Sequence, residues 1–387
     1  MKKISLFKML NMKRIVQKKK MVVIGIIFII LSTVSSSTPS KFFPSDEELP
    51  VHAVLLTYIN GPNITKSEFA PVVAYMENGQ IKDTMFDSFV FLPSPNFLYG
   101  RGKYKELKKS DWQGYMDSVQ FAKNVNLDAL EMAVEDTKTA LGRNYKVNVF
   151  MTVLPPIKTV MSFGEINGKN LCFSDLDDRK AAVRWMVDEQ IRQFEARNYK
   201  NLHLAGFYWH LESMSFVTGW DGKPGTDPQI SDVVKYLTSY IRALGYKTMW
   251  IPCYNAPGWN SGKEHGFDLS LMQANYFPAR PNSPNCGPIS RLADNAVKTK
   301  SFGYGFELEL HGGINEEAAI TGFKQYMKVG VEQGYMNNSH NAYYINHGPV
   351  AVRELYDAND PYIHSTYNEL YRFIKRTLKV SDILINE

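Results

Sequence analysis

Short apolar runs recur along the chain and alternate with longer segments of helical periodicity. Runs rich in β-branched and aromatic residues are typical of strands. These runs are nearly continuous in apolar residues, which is the pattern of strands covered on both faces. Eight strands are predicted in this way, at His52–Tyr58, Ser88–Leu92, Lys146–Val153, His203–His210, Lys247–Tyr254, Leu269–Tyr276, Gly303–Leu310 and Asn341–Asn346.

Most of the gaps between the strands carry apolar residues at helical spacing. The clearest helices are predicted at Asp128–Leu141, Asp178–Ala196, Ser231–Leu244, Glu316–Gln333 and Tyr367–Leu378. Strands that alternate with helices indicate a parallel sheet. Eight such units predict an α/β protein with a single (β/α)8 TIM-barrel domain over residues 51–380, because about 250 residues plus loop insertions is usual for that fold. Since Asn255–Asp268 is rich in Gly, Pro and Asn and has no helical pattern, a doubly wound sheet is the alternative.

The N-terminal segment has a pattern of its own. Residues 1–20 carry eight Lys or Arg and no acid, an apolar run follows over Met21–Leu31, and Ser32–Ser40 is small and polar. This pattern predicts a secretory signal peptide over residues 1–36, because the apolar run is short for a membrane span. An uncleaved anchor is the alternative. A flexible lead-in is expected over residues 37–50, and the location is expected to be secreted or periplasmic, with surface association left open.

Charge and cysteine content narrow the classes of function. Without the leader, 36 of the 44 Lys and Arg remain against 39 Asp and Glu, a net charge of about −3, so the basic character belongs to the leader and no nucleic-acid partner is expected. Cys172, Cys253 and Cys286 have no metal-binding spacing. Cys253 is expected inside the fifth strand as a small buried hydrophobe, and a disulfide between the other two is left open.

Long connections follow the second, third and fourth strands, at Phe91–Ser110, Leu154–Leu171 and Gly219–Pro228. In a barrel they leave the C-terminal ends of strands, where active sites lie, so we expect them to wall a cleft. The sequence has no Gly-rich phosphate loop and no internal repeat. No cofactor is expected, and membrane contact is expected only through the export signal.

Three carboxylates lie at the ends of the fourth and seventh predicted strands. Glu212 follows His203–His210, while Glu307 and Glu309 lie near the end of Gly303–Leu310. A glycosidic bond is cleaved by two carboxyl groups that flank it in one cleft, so these positions predict a glycosidase. Glu307 and Glu309 are two residues apart and so point to the same face of the strand. An ion pair across the barrel is the structural alternative for such buried acids.

Several motifs resemble known families. Acids at the ends of strands four and seven resemble the clan of retaining (β/α)8 glycoside hydrolases. The segments FDSFVFL (86–92), GFYWHLES (206–213), WIPCYNAPGW (250–259), FDLSLMQANYF (267–277) and GFELEL (305–310) are similar to a family of secreted bacterial proteins known only as a domain of unknown function. The resemblance implies Glu212 as acid/base and the Glu307/Glu309 pair at the nucleophile position. Glu309 is preferred as nucleophile because it is nearer the end of the strand, with Glu307 binding a sugar hydroxyl or orienting its neighbour, and the reverse assignment of these two is left open. The clan usually has Asn before the acid/base, where this chain has Leu211, so His210 is the candidate replacement.

Other residues near the strand ends are candidates for sugar binding. Aromatic faces stack on pyranose rings, and amides bind hydroxyls. The imidazoles could tune the proton affinity of the glutamates. The predicted substrate-binding residues are Glu307, Tyr58, Trp209, His210, Tyr254, Asn255, Asn275, Tyr276, His311 and His347, with Trp259 and Gln273 as weaker candidates.

Two other classes of function use the same residues. Glu212, Asp268, Glu309 and His347 are the ligands that a metal-dependent isomerase or lyase would use, although Asp268 precedes its strand and no metal-ligand spacing is present. A barrel that binds carbohydrate without cleaving it is the third class. The prediction adopted is a secreted, retaining glycoside hydrolase that acts on an extracellular polysaccharide or glycan without a metal. Oligomeric state, sugar and linkage are not specified by the sequence.

Overall fold

The computed structural model describes residues 51–59, 63–100, 103–214 and 227–385. Eight parallel strands close into a barrel in which each strand pairs with the next along the chain, and the last pairs with the first. The predicted (β/α)8 barrel is therefore confirmed, and the doubly wound alternative is wrong. The strands are β1 (Ala53–Ile59), β2 (Ser88–Pro93), β3 (Val147–Val153), β4 (Leu202–Trp209), β5 (Lys247–Trp250), β6 (Leu269–Gln273), β7 (Gly305–Leu310) and β8 (Asn341–Ile345).

Helices surround the barrel. The longer ones are α1 (Lys66–Val73), α2 (Leu127–Leu141), α3 (Leu176–Arg197), α4 (Ile230–Ala243), α5 (Ser290–Phe302), α6 (Glu317–Gln333), α7 (Pro349–Asp357) and α8 (Pro361–Ile374). Short helical segments lie at Pro95–Leu98, Lys109–Tyr115, Met116–Gln120 (a π-helix), Tyr335–Asn338 and Val380–Asp382 (a 3₁₀-helix). Antiparallel hairpins form at Ala74–Glu77 with Gln80–Thr84, Tyr99–Gly100 with Lys103–Tyr104, and Gly164–Ile166 with Lys169–Leu171.

The five predicted helices are confirmed, with α8 displaced from its expected bounds. It begins at Pro361 because the side chain of Asp360 accepts hydrogen bonds from the backbone of Tyr362 and Ile363, which caps the helix. Helices α1, α5 and α7 were not predicted from the sequence. The absence of a helix between β5 and β6 is confirmed, since this connection is built from turns.

Strands β5 and β6 are shorter than predicted. Pro252 has no backbone N–H to donate to a sheet, and β5 ends before it, at Trp250. Strand β6 ends at Gln273, ahead of Asn275, whose φ of 52° is left-handed. The last residues of both predicted strands therefore belong to loops.

Strand side chains alternate between two apolar layers. One layer fills the barrel interior and includes Val54, Val90, Phe150, Met249 and Leu271. The other lies between the strands and the helices and contains the residues of the opposite parity, such as Phe306 and Leu308. At Gly305 the β7 backbone passes so close to the His340 carbonyl and Leu271 that a Cβ would overlap them. The interior is thus packed, and a ligand has access only at the ends of the strands.

Residues 1–50 and 215–226 lie outside the described part of the chain. The predicted signal peptide, the lead-in and most of the connection Gly219–Pro228 fall in these ranges and stay predictions. Among the described helices, none combines the length and the hydrophobicity needed to cross a membrane.

Candidate active site

The barrel brings the three predicted carboxylates to one mouth. Glu307 and Glu309 both point into the barrel, because Phe306, Leu308 and Leu310 on the alternate positions of β7 face the helices. Their residues are 2% and 5% exposed respectively. Glu212 follows β4 and is exposed. Its charge acts on Glu307 and on Glu309, which shows that the three acids share one site.

A chain of hydrogen bonds links the acids of β4 and β7. The Cys253 thiol lies 2.7 Å from Oε2 of Glu212 and 3.2 Å from Oε1 of Gln273. Nδ2 of Asn275 donates to that same Gln273 oxygen at 2.8 Å, and the Asn275 backbone N–H donates to Oε2 of Glu309 at 2.6 Å. The loops after β5 and β6 therefore carry the groups that hold the two carboxylates.

Glu309 is stabilised by donors but remains difficult to ionise. Burial raises the pKa of Glu309 to about 7, although hydrogen bonds from the Tyr326 hydroxyl and the Asn275 backbone oppose the rise and the Glu212 charge adds to it. The Tyr326 hydroxyl lies 2.6 Å from Oε2. Both donors thus reach the same oxygen, which orients the carboxyl group.

Glu307 and Glu212 also hold their protons more strongly than free carboxyls. Burial raises the pKa of Glu307 well above its ordinary value, and the charges of Glu309 and Glu212 add to the rise. Oε1 of Glu307 is buried without a hydrogen-bond partner among the described residues. For Glu212, desolvation by the surrounding protein raises the pKa, while bonds from Cys253 and Gln273 oppose it. The ion pair across the barrel, which was the structural alternative for these acids, is absent at both β7 glutamates within the described residues.

Aromatic side chains line the mouth beside the acids. The half-buried rings of Tyr58 and Tyr344 meet edge to face with centroids 5.8 Å apart. His311 stacks on Tyr344 at 5.5 Å and on Phe277 at 4.6 Å. Burial lowers the pKa of His311, and the positive charge of Arg280 lowers it further. The charges of Glu212 and Glu307 act on the Tyr58 hydroxyl, and His311 contacts the site through Tyr344.

The prediction for Trp209 is wrong. Its side chain is 1% exposed and packs in the layer between the strands and the helices. Tyr208 faces the barrel interior instead, and the charges of Glu212 and Glu307 act on its hydroxyl. Successive side chains of a strand point to opposite faces. Tyr208 is an even number of residues from Glu212 and faces inward, whereas Trp209 is an odd number away and faces the helices.

The connection after β2 reaches the site, as predicted. The Tyr104 hydroxyl lies 3.2 Å from Nδ1 of His210, and Tyr99 donates to Tyr104 at 2.7 Å. Burial lowers the pKa of His210 to about 4. His210 is therefore a neutral imidazole at neutral pH, placed between a tyrosine pair and the acids.

The residues after β5 and β6 serve partly as supports. The Asn275 side chain accepts from the Tyr254 backbone at 3.0 Å, in addition to its bond to Gln273. Tyr276 is half-buried, and its backbone N–H donates to the Tyr326 hydroxyl at 3.0 Å. His347 is exposed after β8. The side-chain amide of Asn275 is thus occupied by contacts within the protein, and its backbone N–H positions Glu309.

Tyr254 and Asn255 contact cations from α5. Nζ of Lys298 lies 3.9 Å from the centre of the Tyr254 ring and 2.6 Å from Oδ1 of Asn255. The Arg291 guanidinium lies 4.6 Å from the same ring centre. Trp259 packs edge-on against Phe302 at 4.9 Å. These cations compete with any sugar for the Tyr254 ring.

Cys253 was not predicted as a site residue. It lies beyond the end of β5 and contacts Glu212, so the expectation that it is a small hydrophobe inside the strand is wrong. All three cysteines are free thiols. The apolar run Lys247–Tyr254 predicted a strand through Cys253, although the chain leaves the sheet after Trp250. In the sequence, only Pro252 indicates this strand end.

The four ligands considered for a metal do not all lie at one place. The Asp268 carboxylate accepts bonds from the backbone and the hydroxyl of Thr248, each at 2.9 Å, near the start of β5. That is the end of the barrel opposite Glu212. In the described ranges, no three His, Cys, Asp or Glu side chains are arranged to hold a metal ion.

Comparison with known proteins identifies a family over most of the chain. Residues 57–372 match a family described as a domain of unknown function (DUF4855). The comparison with curated proteins gives no match. Similar solved structures include SrfJ from Salmonella typhimurium, which is 9% identical with a TM-score of 0.41 over 79% of this chain and 66% of that protein.

Two further solved structures are named as glycoside hydrolases. A tri-modular endo-β-1,4-glucanase of family GH5 from Bacillus licheniformis is 10% identical, with a TM-score of 0.37, and the match covers 82% of this chain and 59% of that one. Fungal β-1,4-galactanases are 11% identical, with a TM-score of 0.36 over 75% of this chain and 89% of theirs. The chain thus spans about two thirds or less of SrfJ and of the glucanase.

Proposed function

Because this chain belongs to the family described as a domain of unknown function (DUF4855), its activity is inferred from its own site, and we propose that it is a retaining glycoside hydrolase. The observation that carries the proposal is the meeting of Glu212 with Glu309 at one barrel mouth, linked through Cys253, Gln273 and Asn275. Retaining hydrolysis requires two carboxyl groups with different tasks in one cleft. Glu212 is exposed at the mouth whereas Glu309 is buried on β7, so the two carboxyl groups have different environments.

Glu212 is proposed as the general acid and base. A general acid has to be protonated near the working pH and has to reach the leaving oxygen. Glu212 is exposed at the mouth, and desolvation raises the pKa of its carboxyl. The Cys253 thiol and Gln273 stabilise the anion that remains after the proton is transferred. The same anion then activates the water that hydrolyses the intermediate.

Glu309 is proposed as the nucleophile. Hydrogen bonds from Tyr326 and from the Asn275 backbone stabilise its charged form. Since both reach Oε2, they hold the carboxylate in one orientation, which leaves attack on the anomeric carbon to Oε1. A retaining mechanism requires the carboxyl groups of Glu212 and Glu309 to be about 5–5.5 Å apart, whereas an inverting one requires about 6.5–9.5 Å.

Glu307 is proposed as a neutral acid that donates a hydrogen bond to substrate. Burial and two neighbouring carboxyls raise the pKa of Glu307 well above its ordinary value. A carboxylic acid kept neutral in an apolar site can donate a hydrogen bond to a ligand oxygen.

The chain lacks the Asn that precedes the acid/base in the resembling clan, and we assign contact with the sugar to His210 in its place.

The substrate is proposed to be a glycan outside the cytoplasm, which follows from the signal pattern of residues 1–36. The test is release of reducing ends from a panel of polysaccharides by the chain from residue 37 onward. Glu212→Gln and Glu309→Gln should each reduce release by a factor of at least about 10³, as expected when an acid/base or a nucleophile is lost. Glu264→Gln changes an exposed carboxylate outside the site and serves as the control. Binding of a glycan without release by the unaltered chain would favour a non-catalytic barrel and overturn the proposal.

A further inference from the structure

Two cations on α5 lie beside the proposed active site and have no acidic partner among the residues that the structure describes. Arg291 and Lys298 are seven residues apart, so they lie on the same face of the helix. Both are half-buried. Neither forms an ion pair with any carboxylate in the described part of the chain, although Asp294 lies between them on the helix. By contrast, the nearby Arg280 is paired with Glu316.

The cations are held by neutral groups. Arg291 donates to the backbone carbonyl of Asn285 at 2.8 Å, and Lys298 donates to Oδ1 of Asn255 at 2.6 Å. Both pack on the ring of Tyr254. Carbonyl, amide and aromatic contacts orient a cation while leaving its net charge in place. Two positive charges are therefore uncompensated at this position.

The backbone makes room for one of the cations. A Cβ at Gly287 would overlap the Arg291 guanidinium. The Gly287 N–H donates to the carbonyl of Asn275 at 2.8 Å, and Arg291 approaches the same carbonyl at 3.5 Å. The backbone N–H of Asn275 also donates to Glu309, the proposed nucleophile. The Arg291 guanidinium and the Glu309 carboxylate therefore contact the same residue.

The cations do not serve to neutralise the catalytic acids. Desolvation raises the pKa of Glu212, Glu307 and Glu309, and the charges of neighbouring carboxylates raise those of Glu307 and Glu309 further. A cation that compensated these carboxyls would lower those values instead. The charge of Arg291 and Lys298 is thus not compensated by any carboxylate in the described ranges, and it is available to a bound anion.

We propose that Arg291 and Lys298 form an anion subsite, so that the glycan bound at this mouth carries an acidic group, a carboxylate or a sulfate, next to the bond that is cleaved. The planar fork of Arg291 matches the two oxygens of either group. Tyr254 and Trp259, which lie under Lys298, supply apolar surface beside it. This inference rests on the proposed function and adds the class of substrate.

The test measures binding, so that it does not depend on turnover. The full mature chain with Glu309→Gln is titrated with polygalacturonate, hyaluronate and chondroitin sulfate. Each is compared with its carboxyl-reduced derivative, and the last also with its desulfated derivative. At least one acidic glycan should bind about tenfold or more tightly than its neutral derivative, which is the gain from one charge-assisted contact. The derivative that loses the advantage identifies carboxylate or sulfate as the anion.

Variants locate the effect. Arg291→Gln, Lys298→Gln and Gly287→Ala should each remove most of the acidic glycan's advantage, and Arg291→Lys should remove part of it. Lys300→Gln makes the same change of charge on an exposed position of α5 and should have no effect. In the active chain, Arg291→Gln should raise KM more than it lowers kcat.

The outcomes separate this inference from the proposed function. Equal binding of acidic and neutral glycans overturns the acidic substrate and leaves the glycosidase intact. An equal loss in Lys300→Gln shows non-specific attraction and also overturns it. Failure of every glycan to bind, with the variants folded by circular dichroism, overturns both.

Discussion

The thiol of Cys253 lies 2.7 Å from Oε2 of Glu212. This contact joins the loop after β5 to the residue that follows β4. A thiol has one proton, so it can donate either to Glu212 or to Gln273, which is 3.2 Å away. Burial and the charge of Glu212 raise the pKa of Cys253 well above its ordinary value. Cys253 therefore remains a thiol and acts as a donor.

The first prediction concerns the basic limb of the pH profile. The thiol's hydrogen bond lowers the pKa of Glu212, so Cys253→Ala should raise that pKa. Because the general acid must be protonated, the basic limb of kcat/KM on an unactivated glycan should move to higher pH. Cys253→Ser supplies a stronger donor and should move the limb to lower pH. Movement of both variants in the same direction would contradict this role for the thiol.

The second prediction concerns the acidic limb. The Tyr326 hydroxyl lowers the pKa of Glu309 from a value that burial would otherwise raise further. Tyr326→Phe should therefore raise that pKa from about 7 and move the acidic limb of kcat/KM to higher pH, since the nucleophile must be ionised. The variant should also lose about 1–3 kcal/mol of unfolding free energy, because the Tyr276 N–H donates to this hydroxyl.

Tyr335→Phe is the matched control for Tyr326→Phe. Tyr335 is a buried tyrosine whose hydroxyl donates to the backbone carbonyl of Tyr326. Loss of the Tyr335 hydroxyl should lower the unfolding free energy by a similar amount and leave the acidic limb of kcat/KM unchanged. A shift of the limb in Tyr335→Phe as large as that in Tyr326→Phe would show that the effect comes from general loosening of the site.

The third prediction concerns the protonation of Glu307. Its pKa in the folded protein is raised by burial and by two carboxyls, whereas in the unfolded chain it is about 4.3. The folded state therefore binds one more proton above pH 4.3, and this group's contribution to stability falls as pH rises towards the folded pKa. Glu307→Gln has no carboxyl to titrate, so its unfolding free energy should not fall in this way as pH rises. Relative to the unaltered protein, the variant should therefore gain up to about 1.4 kcal/mol for each pH unit between the unfolded and the folded pKa.

Denaturant unfolding of the Glu307→Gln variant at pH 5 and pH 8 checks this prediction. The difference in unfolding free energy between the variant and the unaltered protein should be larger at pH 8. The variant should also keep the retained stereochemistry of the product, since Gln is neutral like the protonated acid. A difference that is independent of pH would mean that Glu307 is ionised in the folded protein.

The barrel was predictable because its strands are marked by composition. Each of the eight apolar runs became a strand, and the acids at the ends of β4 and β7 met as the parallel arrangement requires. Strand ends were less certain because Pro252 and the left-handed Asn275 terminate β5 and β6 inside apolar runs. The same error concealed Cys253. Parity along β4 would have shown that Trp209 faces away from Glu212.

Contacts between distant segments could not be predicted from the sequence. Tyr326 lies on α6, and only the packing of that helix on β7 brings its hydroxyl to Glu309. Helix α5 is rich in polar residues and was not predicted, so the placement of Arg291 and Lys298 at the mouth had no signal in the apolar pattern. The pKa of each carboxyl likewise depends on burial, which follows from the fold.

The most direct test of the central claim is azide rescue of the two catalytic variants on a glycoside with a good leaving group. Glu212→Ala should form the glycosyl-enzyme but hydrolyse it slowly, and azide should restore turnover and give a glycosyl azide of retained configuration. Glu309→Ala should form no covalent intermediate, and azide should rescue it only with inversion. An inverted azide product from Glu307→Ala with an active Glu309→Ala, or full activity of Glu212→Ala on an unactivated glycan, would contradict the roles assigned to these residues.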